Sequence, residues 1–272
     1  MTPDEFSLFN EFLSSHYGLH FPDHKKELLE FALRPRLQAH RLKGFMEYYI
    51  LLQYNSGDER EQLTRAVTNN ETYFFREIHQ LDALFGDGLD AFKREAATQG
   101  AMNILCAGCS SGEEAYTLSI YAKDNQYRFW GVELRVQAFD LDTNRLEIAR
   151  NARYGPSSFR TVEEEKIERY FTSPKDGLRQ VKPAYRSGTT FDWGNILELY
   201  SFYRGVPFDA VFCRNVLIYF SETSLHRAVE NFARCLRPGG LLFLGHSESI
   251  IGISPHFEPY RLGPCIIYRR VA

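Results

Sequence analysis

Residues 103–118, NILCAGCSSGEEAYTL, place chemistry where a fold could use it. A short apolar run ends in small residues, turns through Gly108 and Gly112, and enters a helical pattern behind Glu113 and Glu114. Strand, glycine turn and helix N-terminus, in that order, bare backbone N–H groups at the carboxyl edge of a sheet. The spacing is not G-x-G-x-x-G, and two carboxylates stand where a pyrophosphate would sit. A cationic or zwitterionic ligand suits this turn better than a phosphate. About 30 residues on, Asp140 ends a second apolar run, where an acid can accept both ribose hydroxyls of a nucleoside. Capping the next helix is the competing role for Asp140, and the favoured one for Asp142.

Residues 68–77 (TNNETYFFRE) and 212–220 (FCRNVLIYF) interleave polar and aromatic groups. Arg214, Asn215 and Tyr219 follow an apolar strand at its carboxyl edge, which suits a pocket with a few fixed polar anchors. Taken singly, Tyr219 also reads as a core tyrosine and Arg76 as a solvated arginine beside Glu77. Cys106 and Cys109 form a literal C-x-x-C at a strand–helix junction, the place for a thioredoxin-type pair. Cys106 belongs to the buried run, so packing is the preferred reading. No second pair supplies a zinc site, and no metal is expected. Residues 245–249, GHSES, nearly match the G-x-S-x-G hydrolase elbow, but the closing glycine is absent and only His256 follows. His246 is expected to be a hydrogen-bonded structural histidine.

These groups need a scaffold. Thr2-Pro3-Asp4-Glu5 is a capping box opening a first amphipathic helix. Residues 23–43 are again helical, with Leu29, Leu33 and Leu37 at four-residue spacing, and Pro35 must kink the segment or start a second helix. Residues 45–54 and 58–68 read as two more helices, completing a small bundle. A helix over 87–98 leads to the strand at 103, and from there strands and helices alternate. A strand at 136–139 precedes helices at 142–152 and 163–171. A strand at 208–213 precedes a helix capped by Ser221. The turn Pro238-Gly239-Gly240 enters an apolar strand, and a Gly-Pro turn joins two last strands. Turn chemistry and alternation over 172–191 predict a small antiparallel excursion. The alternation implies a parallel, doubly wound sheet, and the final strand pair must be antiparallel to each other.

The chain of 272 residues has a net charge of -3, so it has no global attraction to nucleic acid or anionic membrane. No apolar run approaches the roughly 20 residues of a membrane span, and the start shows no charged and apolar leader. Five cysteines without export signals point to a reducing compartment, and the expected location is cytoplasmic.

TNNETYFFRE, CAGCSSGEEAYTL, FDLD (139–142), FCRNVLIYF and LRPGGLLFLGHSES (236–249) stand together in the order of one family. Through them the chain resembles the CheR-type chemotaxis-receptor glutamate methyltransferases over nearly its whole length. The resemblance implies an all-α N-terminal domain (1–68), a connecting, cofactor-contacting segment (69–98) and a methyltransferase domain (99–272). The latter is an α/β, doubly wound, Rossmann-like S-adenosylmethionine-dependent domain with an antiparallel final strand and a small β-subdomain at about 172–191. By the same resemblance Asn70, Thr72, Arg76, Glu114, Asp140, Asn195, Ile196, Arg214 and Asn215 bind the cofactor. Arg76 and Tyr219 are implied to be catalytic, beside the transferring methyl group.

The implied reaction is O-methylation of glutamates on chemoreceptors, giving methyl esters and S-adenosylhomocysteine in chemotaxis signal transduction. The acceptor carboxylate is already ionised near neutral pH, so no general base is expected. Glu114 is expected to accept from the cofactor's ammonium group. Arg34, Arg36, Arg41 and Lys43 are expected to dock on the cytoplasmic helices of the receptor, with an ordinary solvated face as the alternative. SPKDGL is shorter than in relatives whose β-subdomain docks a C-terminal receptor pentapeptide, so pentapeptide-independent action is expected. The other readings are a small-molecule acceptor, and a non-catalytic cofactor-binding adaptor that regulates a signalling partner.

Overall fold

The structure is a computed structural model describing residues 1–54, 57–86, 88–89, 100–129, 132–203, 205 and 207–271. Four helices open the chain: α1 (Pro3–Tyr17), α2 (Lys26–Ala39), α3 (Phe45–Tyr54) and α4 (Asp58–Val67). The capping box at Thr2 is formed, with Thr2 Oγ accepting from Glu5 N–H and the Glu5 carboxylate accepting from Thr2 N–H. Phe9, Leu13, Leu29, Leu33, Tyr48, Leu52 and Leu63 are fully buried between these helices. Each such side chain contributes about 1.5–3 kcal/mol.

Pro35 does not divide α2, which runs unbroken through it. A proline removes the hydrogen bond to the carbonyl four residues back. That carbonyl belongs to Phe31, which is 74% exposed, so water can take the place of the missing donor.

The rest of the chain builds a seven-stranded sheet of order β5-β2-β1-β6-β7-β9-β8. Its strands are β1 (Ala101–Ala107), β2 (Glu133–Asp140), β5 (Thr189–Trp193), β6 (Phe208–Cys213), β7 (Leu236–Leu244), β8 (Phe257–Leu262) and β9 (Cys265–Arg270). The first five are parallel, and β9 runs antiparallel to both β7 and β8. A separate ribbon pairs β3 (Arg153–Tyr154) with β4 (Arg179–Gln180). The described helices here include α5 (Ile78–Phe85), α6 (Glu113–Asp124), α7 (Thr143–Asn151), α8 (Glu164–Tyr170) and α9 (Glu222–Cys235).

Strand alternation divides the core in two. Ile104, Cys106, Ala210, Phe212, Leu241 and Phe243 pack on the α6 side with Ala115 and Leu118. Leu105, Ala107, Val211, Cys213, Leu242 and Leu244 pack on the α9 side with Ala228, Val229 and Phe232. Both faces are covered, which is why these strands are apolar throughout. The direction of winding reverses between β1 and β6, and ligands bind at the carboxyl ends of strands at such a switch point.

One expectation needs correction. Thr189–Trp193 is not part of the antiparallel excursion but the parallel edge of the main sheet, with Val136 opposite Thr189. Period-two alternation marks a strand without naming its partner. The excursion itself borrows β3 from outside residues 172–191. The helix expected over 87–98 lies outside the described residues, apart from positions 88 and 89; the helix described before the sheet is α5. Among the described residues no helix is long and apolar enough to cross a membrane.

Candidate functional site

The glycine turn after β1 has two left-handed glycines. Gly108 has φ +77°, and a Cβ there would stand 2.7 Å from Val216 Cγ2. Gly112 has φ +88°, and its Cβ would stand 2.8 Å from the Cβ of Ala149. Between them the N–H of Ser110 donates to Asp140 Oδ2 at 2.7 Å, while the N–H of Asp142 donates to Asp140 Oδ1 at 2.9 Å. Burial pushes the Asp140 carboxyl up, opposed by those backbone donors. Each of its oxygens keeps acceptor capacity for a ligand. Asp142 caps α7, accepting from the N–H groups of Asn144 and Arg145 at 3.0 and 3.2 Å. The side chain of Asn70 donates to the other Asp142 oxygen at 2.9 Å.

The adjacent glutamates diverge. Glu113 is buried and accepts from the hydroxyls of Ser111 and Ser158, both at 2.8 Å; burial raises its carboxyl above the usual range. Glu114 instead accepts from the Nε of Arg214. Arg214 is itself buried, and its Nη1 also donates to the backbone carbonyls of Arg76 at 3.0 Å and Glu77 at 3.4 Å. One guanidinium thus ties the end of β6 to the start of α6 and to residues 76–77.

The aromatic residues of 68–77 anchor that segment. Phe74 is fully buried, stacked on Phe159 and edge-on to Tyr154 and Phe171, and its N–H donates to Ser158 O at 2.9 Å. Phe75, Glu77, Ser110 and Asn215 all carry a left-handed backbone without being glycine. Such residues cost about 1–3 kcal/mol each and gather where surrounding structure over-determines them.

One cavity of about 500 Å³ opens at the switch point. Asn70, Thr72, Arg76, Glu114, Asp140, Asn195, Ile196, Arg214, Asn215 and Tyr219 all line it. The half-buried Arg76 donates to Glu71 O at 3.2 Å and lies over the Tyr73 ring. The Tyr219 hydroxyl accepts from Asn69 Nδ2 at 2.9 Å. The Asn195 side chain is already engaged, capping Leu197 N–H at 2.9 Å and donating to His16 O at 2.6 Å. Asn215 Oδ1 and Glu77 Oε2 are buried acceptors without a hydrogen-bond partner.

Sequence reasoning missed the wall given by the helical bundle: Tyr17, Leu19, His20, Phe21, Lys25 and Leu28 also line the cavity. The bundle reaches Tyr219 through the backbone, where His20 N–H donates to Tyr219 O at 2.8 Å. No local pattern signals that contact.

The basic residues separate by environment. Arg41 and Lys43 are exposed, and Arg34 pairs with Glu30 on the surface. Arg36 is not an available docking cation: it forks onto buried Glu59 at 2.9 and 2.6 Å. His40 and the Tyr48 hydroxyl complete that carboxylate's partners at 2.6 and 2.7 Å. Burial alone would raise the Glu59 carboxyl, but Arg36, His40 and Tyr48 together hold it below its usual value. Arg36 and His40 stand four residues apart, on one side of the α2 C-terminal end, and that side meets Glu59 of α4.

Cys106 and Cys109 are free and buried, and burial pushes both thiols well up, which suits packing and not thiolate chemistry. His246 is exposed, contrary to the expected structural histidine. Among the described residues no cluster of three or more His, Cys, Asp or Glu side chains could hold a metal ion.

Residues 70–263 match the family model described as CheR methyltransferase, SAM binding domain, and residues 4–68 match CheR methyltransferase, all-alpha domain. Chemotaxis protein methyltransferase 2 of Vibrio cholerae is 32% identical over 262 residues, covering 96% of this chain and 91% of that protein. The chemotaxis protein methyltransferase of Salmonella typhimurium is 34% identical over 245 residues, covering 89% and 82%. Chemotaxis protein methyltransferase 1 of Pseudomonas aeruginosa is 32% identical over 269 residues, covering 97% of each.

Proposed function

Because the chain belongs to the CheR methyltransferase family and is an S-adenosylmethionine-dependent methyltransferase, we propose that it methylates glutamate side chains of chemoreceptors, forming methyl esters and S-adenosylhomocysteine in sensory adaptation. The observation that carries this reading is the single cavity in which segments 70–76, 110–114, 195–196 and 214–219 meet beside Asp140.

The residues present suit the cofactor. Asn215 Oδ1 is an unpartnered acceptor and Glu114 a carboxylate on the same cavity, and both favour an ammonium group. Asp140 keeps an acceptor site on each oxygen for ribose hydroxyls. Asn70, Thr72 and the Asn195–Ile196 backbone would complete the binding wall, with Arg214 holding Glu114 in place. When bound, the cofactor supplies an electrophilic methyl group on a sulfonium sulfur.

The chain's own residues then have three tasks. Arg76 orients the acceptor carboxylate, through a fork suited to bidentate contact. Tyr219, its hydroxyl fixed by Asn69, sets the carboxylate's approach. Tight ground-state binding would slow the reaction, so Arg76 positions and does not clamp. The apolar wall from Leu19, Phe21, Leu28 and Phe220 excludes water from the nucleophile. No residue need remove a proton, because the glutamate is ionised near neutral pH.

Residues 1–68 are read as a docking and site-closing domain, 69–98 as the connecting segment and 99–272 as the methyltransferase domain. Exposed Arg34, Arg41 and Lys43 suit acidic helices in the cytoplasmic region of a receptor. The enzyme is read as cytoplasmic. It is also read as pentapeptide-independent, because β3 and β4 have two residues each and offer a short edge for strand addition.

The test is incubation with labelled methyl donor and receptor cytoplasmic fragments. Base-labile label on receptor glutamates is expected. Cofactor binding by calorimetry without label on any receptor would overturn the acceptor assignment. A receptor-tail pentapeptide should show no binding, and saturable binding would overturn that part alone.

A further inference from the structure

The segment after β6 carries Asn215 and Tyr219 yet belongs to neither sheet nor long helix. Its backbone N–H groups turn inward one after another and would be orphaned without a partner. The partner is a single carboxylate. Glu248 Oε1 accepts from the N–H groups of Val216 at 2.8 Å, Leu217 at 2.7 Å and Ile218 at 3.3 Å. Glu248 Oε2 accepts from Asn215 N–H at 2.8 Å and Gly245 N–H at 2.6 Å. Successive inward amides of this kind form an anion-binding nest, here filled by the protein's own side chain.

The consequence reaches the cavity. Asn215 has φ +60°, a conformation a non-glycine residue keeps only under constraint. Holding it there leaves Asn215 Oδ1 buried on the cavity wall without a partner. The same carboxylate sets the 3₁₀ turn Leu217–Tyr219, whose last residue bears the hydroxyl. Glu248 itself does not line the cavity.

We propose that Glu248 is a positioning residue for methyl transfer: it sets the backbone of residues 215–218, and through it the Asn215 amide and the Tyr219 hydroxyl, without touching cofactor or acceptor. This rests on the function proposed above. Asparagine or glutamine cannot replace it, because a side-chain amide offers only one acceptor oxygen and turns an NH2 group toward N–H donors.

The test compares wild type with Glu248→Gln and Glu248→Asp. For Glu248→Gln the expected losses are about 10-fold in S-adenosylhomocysteine affinity by calorimetry and about 100-fold in kcat, with receptor KM within about twofold. Glu248→Asp is expected to fall between glutamine and wild type. A purely structural role would instead lower the melting temperature while the folded variant keeps cofactor affinity and kcat within about twofold, and that result overturns the proposal. In the wild-type protein, the amide hydrogens of Val216 and Leu217 should exchange as slowly as those of β6, and rapid exchange there overturns it also. Loss of cofactor affinity in Glu248→Gln, with no receptor methylated even by wild type, would leave the proposal standing while the acceptor assignment fails.

Discussion

Replacing Arg214 by methionine removes one cation from four partners at once. The Arg214 side chain is 3% exposed and Glu114 16%, so their pair is largely desolvated. The change strands the Glu114 carboxylate, leaves Glu77 without the guanidinium 3.9 Å from its Oε2, and deprives the Arg76 and Glu77 carbonyls of a donor. Breaking a buried pair from one side costs about 3–5 kcal/mol. Because Glu114 keeps some contact with water, the lower end applies, about 3 kcal/mol, or roughly a 100-fold shift in the folding equilibrium. Urea unfolding with and without S-adenosylhomocysteine measures it. The variant should also lose cofactor affinity, because residues 76–77 and Glu114 are no longer tied together. Adding Glu114→Gln removes the stranded charge and should recover about 1 kcal/mol or more. A single-variant loss below about 0.5 kcal/mol, or a double variant no more stable than the single, would refute the reasoning.

Gly108→Ala should cost about 2–3 kcal/mol, combining a left-handed alanine with displacement of Val216, and should weaken cofactor binding in calorimetry; unchanged affinity would contradict the close approach. Glu59→Gln should cost about 2 kcal/mol at pH 7 by urea unfolding, since Arg36, His40 and Tyr48 lose their common acceptor. The folded-state Glu59 carboxyl lies below its ordinary value of 4.5, so its contribution is present above that value and lost as pH falls through the folded one. The gap between wild type and variant should therefore shrink in acid, and a gap independent of pH would contradict the pairing. Tyr219→Phe should lower turnover more than cofactor affinity; equal loss of both would remove its assigned role.

The readable parts were those in which a residue acts on its own neighbourhood. Thr2, Asp142 and Ser221 announce helix starts because a cap bonds N–H groups two or three positions on. The β1–turn–α6 junction was legible for the same reason. Pro35 left a kink or a second helix open, and the continuous α2 excludes the second helix; local spacing does not say whether the stranded carbonyl faces water. Residues 189–193 misled because alternation is the same whichever strand lies alongside.

By itself the sequence determined the helical bundle, the alternating α/β succession with its antiparallel end, and the motifs that mark the family. Those follow from short-range hydrogen bonds and periodic burial, which any stretch of chain expresses alone. Only the tertiary structure decided which of two adjacent glutamates faces the cavity and that Arg36 turns inward to Glu59 while Arg34 stays outside. It alone placed Glu248 under a turn 30 residues before it, and the helical bundle along one wall of the site. These are pairings between groups distant in sequence, and their energy depends on the burial and direction that the assembled fold imposes.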